Sequence, residues 1–230
     1  MSGIVAASGS APRAPVAADD LRTLLRPGMS TIYLASRSAR RHELLRQIGV
    51  AFTELPLRNA DGRPPDVVEV PFADESGLDY VSRIANAKAR AGWLRMKERR
   101  LPILPVLAAD TEVVLTGRIF GKPMDAEDAR AMLGSLSGVT HEVITAVAVC
   151  AENESLLTLS RSLVTLRELT LDEIDRYVAS GEPFGKAGGY AIQALAAAFV
   201  TRLEGSHSGV MGLPLYETTT ALAKIGVRVL

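Results

Sequence analysis

Residues 103–115, ILPVLAADTEVVL, form a strongly apolar run that reads as a strand at the centre of a sheet. Asp110 stands inside it, between ILPVLAA and TEVVL. Burial of the strand carries this carboxylate toward a low-dielectric region, where an ionised acid needs a counter-charge, hydrogen bonds or a metal ion. An aspartate at a strand-end turn is the plainer alternative. Glu69, in DVVEVP, could supply a second oxygen to Mg²⁺, which accepts carboxylates, waters and substrate phosphates together. Taken alone, Glu69 reads more readily as a solvated loop acid.

Toward the N-terminus, TIYLAS reads as a strand running into a helix at SRSARRHELLRQIG, where Leu44, Leu45 and Ile48 recur at helical spacing and Gly49 is a natural stop. VAFTELPL is a second strand, and NADGRPPD (59–66) a mobile loop. From Ser76 a long helix is expected, with Tyr80, Ile84, Ala87, Ala91 and Leu94 as its apolar positions and a basic end suited to a helix C-terminus. Toward the C-terminus, RIFGKP is a turn out of the sheet, DAEDARAMLGSL a helix capped by Asp125, and HEVITAVAVC with SLLTLSRSLVTLREL a pair of long strands. LTLDEIDRYVASG is a helix from about Thr170 to Gly181, PFGKAGGYAIQ a glycine-rich loop, AAAFVTRLEG a strand and LPLYETTTALAKIG the last helix. The class is mixed α/β.

The chain has 230 residues, 47% of them hydrophobic, enough to bury one sizeable core. Lys plus Arg and Asp plus Glu both number 26, so no global field draws nucleic acid or an anionic membrane, and an anion site must be built locally. No segment approaches the roughly 18 consecutive apolar residues of a membrane span. Residues 1–28, rich in Ala, Ser, Pro and Gly, read as a disordered extension rather than a signal peptide, with a short helix conceivable at 19–26; residues 29–230 are one soluble, cytoplasmic domain. The single Cys150 reads as a buried, inert thiol. His42, His141 and His207 lack metal-ligand spacing and are expected on the surface or supporting other groups.

Arg37, Arg40 and Arg41 crowd a first helical turn, where the macrodipole favours acids. With free N–H groups and the hydroxyls of Ser36 and Ser38, that turn makes an anion cradle suited to phosphate; a solvated basic helix start is the competing reading. Lys122 and Lys186 each follow a glycine, which lets backbone approach a ligand while the ammonium reaches a phosphate. GEPFGKA is not a phosphate-binding P-loop: three residues instead of four precede the GK pair, and Ala187 follows where Ser or Thr is needed. Lys88, alone in ANAKA, reads as a solvated helix lysine.

Together LASRSARRHELLRQIGV, ANAKA, AADTEVVL, FGKPMDAEDARAML, LSGVTHEVITAVAV, GEPFGKAGGYAIQ and EGSHSGVMGLPL resemble, in order, the blocks of the Maf family of nucleotide pyrophosphatases, from about Tyr33 to the C-terminus. The resemblance implies a curved mixed β-sheet flanked by helices, related to inosine triphosphate pyrophosphatase, with two lobes and an active-site cleft between them. It implies hydrolysis of a nucleoside triphosphate to the monophosphate and pyrophosphate with a divalent metal cation, Mg²⁺ or Mn²⁺, in a homodimer. Asp110 matches the general base or metal-associated carboxylate, Glu69 a metal-side acid, and Ser36, Arg40, Arg41, Lys88 and Lys122 phosphate-handling positions; Lys186 belongs with the substrate side. Arg40, Thr111 and Gln193 match the form that resembles dTTP/UTP pyrophosphatases, and a Gln amide suits a pyrimidine edge. Ala39 stands where Pro is usual, Gly185 where many relatives have Asp, and Ala194 where many have Gly. The substrates implied are dTTP and UTP or modified pyrimidine nucleotides removed as house-cleaning. The alternatives are septum-formation regulation by partner binding, a role also attached to the family, and the sister activity on 7-methyl-GTP.

Overall fold

The computed structural model describes residues 32–58 and 64–229. The expected extension at 1–28, its short helix at 19–26 and most of the loop at 59–66 lie outside the described residues. Strand β1 (Ile32–Leu34) leads into helix α1 (Ala39–Gln47), and β2 (Phe52–Glu54) precedes the long helix α2 (Gly77–Glu98). Then come β3 (Val106–Leu115), β4 (Arg118–Phe120), α3 (Ala126–Leu136), β5 (Thr140–Cys150), β6 (Ser155–Leu166), α4 (Leu171–Ala179), β7 (Val200–Glu204), α5 (His207–Met211) and α6 (Leu215–Lys224). The strands form one mixed sheet in the order β2-β1-β3-β5-β6-β7, with β4 added beside β3. β1 runs parallel to β2 and β3, and the remaining pairings are antiparallel.

β3 is central, as its composition requires, but its two edges are used differently. β5 pairs with it from Val106 to Val114. On the other edge β1 pairs only at Val106 and Leu107, and β4 only from Val113 to Leu115. Between those partners, around Asp110, the edge has no strand beside it among the described residues, and the sheet parts into two lobes. RIFGKP is therefore not simply a turn out of the sheet. Thr116 and Gly117, with φ of 49° and 83°, fold the chain straight back, so that Arg118–Phe120 becomes β4.

Alternation along β3 sends odd and even positions to opposite faces. Ala108, with Ala146 and Ala148 of β5, packs under Tyr80, Val81, Ile84, Ala85 and Ala89 of α2. Leu107 and Ala109, with Val147 and Val149, pack on Leu44 and Leu45 of α1 and Ala221 and Leu222 of α6. Beyond the parting, Val113, Val143 and Val164 share a third core with Met132 and Leu133 of α3 and Ile174 and Tyr177 of α4. Helix α2 buries a face rotated from the expected one: Leu94 is exposed and Ala87 and Ala91 are half-buried, whereas Ala85, Ala89 and Gly92 meet the sheet, small residues that let the helix come close.

The caps follow the sequence. Ser76, Asp125 and Thr170 each accept a bond from the backbone N–H three residues on, and Thr170 closes a reciprocal capping box with Glu173. The strand expected over AAAFVTRLEG begins only at Val200, because the N–H groups of Leu195 and Ala196 bond to the Glu182 carboxylate and wind 195–199 into a 3₁₀ turn. Cys150 is buried, as expected. No helix among the described residues is long and apolar enough to cross a membrane.

Candidate active site

Where β1 and β4 part, a cavity of about 440 Å³ opens along the bare edge of β3, within the range of small-molecule sites. Every substrate-side and metal-side residue named from the sequence lines it: Ser36, Arg40, Arg41, Glu69, Lys88, Asp110, Thr111, Lys122, Lys186 and Gln193. Counting Arg37, six cationic side chains surround three carboxylates, Glu69, Asp110 and Glu112. A chain balanced at 26 charges of each sign thus places a local surplus of positive charge in one cleft.

The basic wall is the start of α1. Its cap residue, Ser38, makes no side-chain capping bond and its first turn holds no acid, so the helix N-terminus is open to an anion. Ser36 Oγ accepts from the Ser38 N–H at 3.2 Å, and His42 Nε2 lies 3.0 Å from the Ser36 carbonyl, fixing the strand-to-helix corner. Arg40 Nε donates to the Met211 carbonyl at 3.1 Å, and Arg41 Nε to the Gly212 carbonyl at 2.7 Å. Arg41 also donates to Ser36 Oγ at 3.4 Å and Thr111 Oγ1 at 3.2 Å. Burial lowers the Arg41 guanidinium below its usual range, and the charge of Asp110 opposes that shift. Thr111 therefore serves the site by holding Arg41.

On the opposite face of β3, Lys88 Nζ of α2 lies 2.8 Å from Asp110 Oδ1 and 2.8 Å from Glu69 Oε2. Lys88 is thus a partner of two acids rather than a solvated lysine, and Glu69 is ion-paired rather than a lone loop acid. Asp110 is 6% exposed; burial raises it above the ordinary carboxylate range, against the pull of Lys88. Asp110 Oδ2 has no hydrogen-bond partner among the described residues, and such an oxygen suits a water, a metal ion or a substrate group.

Glu112, two residues along the same face, is 8% exposed and pushed up to about 8, first by burial and then by Asp110. It was not among the residues singled out from the sequence, although strand alternation alone places D-x-E acids side by side. Among the described residues no three Asp, Glu, His or Cys groups converge enough to hold an ion alone. Carboxylates with unpartnered oxygens nevertheless fit a hard cation that takes its other ligands from water and phosphate.

The third wall is the glycine-rich segment. Gly188, with φ of 68°, sits where an added Cβ would lie 2.8 Å from Val113 Cγ2, so glycine lets this segment rest on β3. Lys186 Nζ donates to the Glu182 carbonyl, and burial lowers its pKa, with Arg40 adding to the shift. Lys122 and Gln193 lie along the rim, both exposed. Tyr190 lines the cavity, its hydroxyl 2.8 Å from His141 Nε2. His42 and His141, expected on the surface or in support, are both buried, and His141 is depressed to about 4 by burial, hence neutral near pH 7. The carbonyls of Met211 and Gly212 had no signature in the sequence, because backbone acceptors exist in every residue.

The family model described as Maf-like protein matches residues 31–225. The chain is 53% identical over 206 residues to the dTTP/UTP pyrophosphatase of Nitrosomonas europaea, covering 90% of this chain and all of that one. It is 55% identical over 198 residues to the dTTP/UTP pyrophosphatase of Nitrosospira multiformis, covering 86% and 96%. Among solved structures, the Staphylococcus aureus Ham1 protein is similar over 60% of this chain and 72% of that one, at a TM-score of 0.40 and 14% identity.

Proposed function

The chain belongs to the Maf-like protein family, and from that membership and the chemistry of its cleft we propose that it hydrolyses dTTP and UTP to the nucleoside monophosphate and pyrophosphate. The observation that carries the reading is the set of six cations around the buried Asp110, in a cavity of nucleotide size. A triphosphate matches that surplus of positive charge. Arg40, Arg41, Lys88, Lys122 and Lys186, with Ser36 and the open end of α1, bind the phosphates and neutralise the charge that builds on the departing pyrophosphate. Asp110 orients a water toward the α-phosphorus and takes its proton as the new P–O bond forms and the bond to the β-phosphate bridge breaks. A raised pKa suits a group that must both take and return a proton. Mg²⁺ or Mn²⁺, held by Asp110 with a second carboxylate of the cleft, would supply further charge neutralisation at the phosphates. Gln193, on the rim of the glycine-rich wall, reads the pyrimidine edge. In this reading the protein acts in the cytoplasm as a homodimer, clearing dTTP and UTP or modified pyrimidine nucleotides.

Pyrophosphate release measured across dTTP, UTP, CTP, GTP and 7-methyl-GTP, with Mg²⁺ or Mn²⁺, tests it. Turnover should be highest for dTTP and UTP. Preference for 7-methyl-GTP, or no hydrolysis of any nucleotide by the intact protein, refutes the assignment.

A further inference from the structure

Two buried carboxyl oxygens in the cleft, Asp110 Oδ2 and Glu112 Oε2, have no hydrogen-bond partner among the described residues. They belong to residues 6% and 8% exposed, on the same face of β3 with one residue between them. Burying carboxyl groups with unpaired oxygens is costly, and although the charges of Lys122 and Lys88 reach Glu112, among the described residues no hydrogen bond or ion pair joins either lysine or any other side-chain donor to it. Lys88 instead fills the space between Asp110 Oδ1 and Glu69 Oε2, at 2.8 Å from each, so its ammonium already supplies the positive charge on that side of Asp110. What remains without a bonded partner among the described residues is the other side, Asp110 Oδ2 with Glu112 Oε2.

We propose that Asp110 and Glu112 form the seat of the divalent cation, with Glu112, and not Glu69, as the second protein ligand. Two carboxylates with waters and phosphate oxygens complete the octahedral set that Mg²⁺ and Mn²⁺ prefer, so no third acid is required. Glu69, 42% exposed at its side chain, then acts differently, holding Lys88 over the cavity together with Asp110. The inference rests on the pyrophosphatase reading for the cation's role in turnover, while the seat itself is defined by the two carboxyl groups.

Mn²⁺ binding to the full chain tests it, by titration calorimetry of nucleotide-free protein and again with inorganic triphosphate present. Glu112→Gln and Asp110→Asn should each weaken Mn²⁺ binding by about tenfold or more, and Glu69→Gln by less than about threefold. Thermal melts in EDTA check that each variant is folded; if Glu112→Gln is not, Glu112→Asp, which keeps the charge on a shorter arm, should still bind Mn²⁺ more weakly than wild type. Wild-type affinity in a folded Glu112 variant, a loss in Glu69→Gln as large as in Glu112→Gln, or no Mn²⁺ binding by the wild-type protein in either condition overturns the proposal. Mn²⁺ bound through Glu112 by a protein that hydrolyses no nucleotide would overturn the functional reading and leave the seat standing.

Discussion

Thr111→Val should disarm Arg41 without disturbing the strand that carries it. Thr145 Oγ1 donates to the Gly209 carbonyl at 2.8 Å and lies 2.9 Å from Thr111 Oγ1. A hydroxyl has one proton, so Thr145, having given its own to Gly209, must accept from Thr111. Thr111 has then spent its proton and presents a lone pair, which Arg41 Nη2 meets at 3.2 Å. The direction of every bond from Gly209 to Arg41 is thereby fixed. Valine matches threonine in shape but offers the guanidinium no acceptor. A hydrogen bond to a charged group contributes about 1.5–3 kcal/mol. If the loss falls on the transition state, kcat/KM for dTTP drops by about 10- to 150-fold. Thr111→Ser keeps the hydroxyl and should stay within about threefold of wild type, the methyl adding only packing. The assay is pyrophosphate release from dTTP and UTP under subsaturating substrate, with a melting curve for each variant. Full activity in the valine variant, or equal damage in valine and serine, would refute the chain of bonds as the reason Thr111 matters.

Asp110→Asn keeps volume but removes the base, and turnover should fall by about 10²–10⁴-fold in a protein that still melts cooperatively; near-normal turnover would sink the role given to Asp110. Gln193→Glu replaces an amide that donates and accepts by a group that only accepts, so kcat/KM for dTTP and UTP should drop by about 10–100-fold relative to GTP, and an unchanged preference would remove Gln193 from the base pocket. Gly188→Ala combines a left-handed φ of 68° with a Cβ 2.8 Å from Val113, and denaturant unfolding should show a loss of about 2–5 kcal/mol. Glu112 gives a pH test in metal-free protein: its folded pKa of about 8 lies above the usual 4.5, so the native state holds a proton that the unfolded chain releases, and stability falls as pH rises toward 8. His141, neutral and buried with a folded pKa of about 4, costs stability only below about 6.5, so melting between pH 6.5 and 8 avoids its contribution. Glu112→Gln should flatten that decline; a slope identical to wild type would mean that Glu112 does not titrate there.

Long periodic elements and chemically conflicted residues were legible in the sequence, and relations across the sheet were not. Ser76, Asp125 and Thr170 announced their helices because capping is a local matter of three or four residues. The arginines at the start of α1 were legible as a conflict with the helix dipole, and that conflict is where the cleft lies. The face of α2 differs from expectation around Leu94 because tyrosine, isoleucine and alanine recur on more than one helical stripe, and the sheet selects the stripe with the smallest side chains. Lys88 and Glu69 look ordinary against their sequence neighbours, whereas Lys88 pairs with a strand residue 22 positions on and Glu69 pairs with Lys88 itself. Glu112 escaped for a different reason: one acid in an apolar strand already demanded an explanation, and the second was absorbed into it.

The uneven pairing of β3 explains how residues from so many segments reach one site. Had β1 continued alongside β3 past Leu107, the edge at Asp110 would be covered, and the two faces of the sheet would be separate environments. Because β1 stops after three residues and α1 turns away, no strand among the described residues covers the edge between Leu107 and Val113, and groups on both faces open into one cavity. Arg41 arrives from one side through Thr111, an odd position, and Lys88 from the other through Asp110, an even one. A cation-rich wall and an acidic wall are thereby separated by a single backbone, close enough for one polyphosphate to touch both and for Arg41 and Asp110 to feel each other's charge. No ion pair joins Arg40 or Arg41 to Asp110 or Glu112 among the described residues. Insertion of one residue in β1 that extended its pairing would close the cleft, whereas the same insertion in the Thr116–Gly117 turn would leave its floor intact.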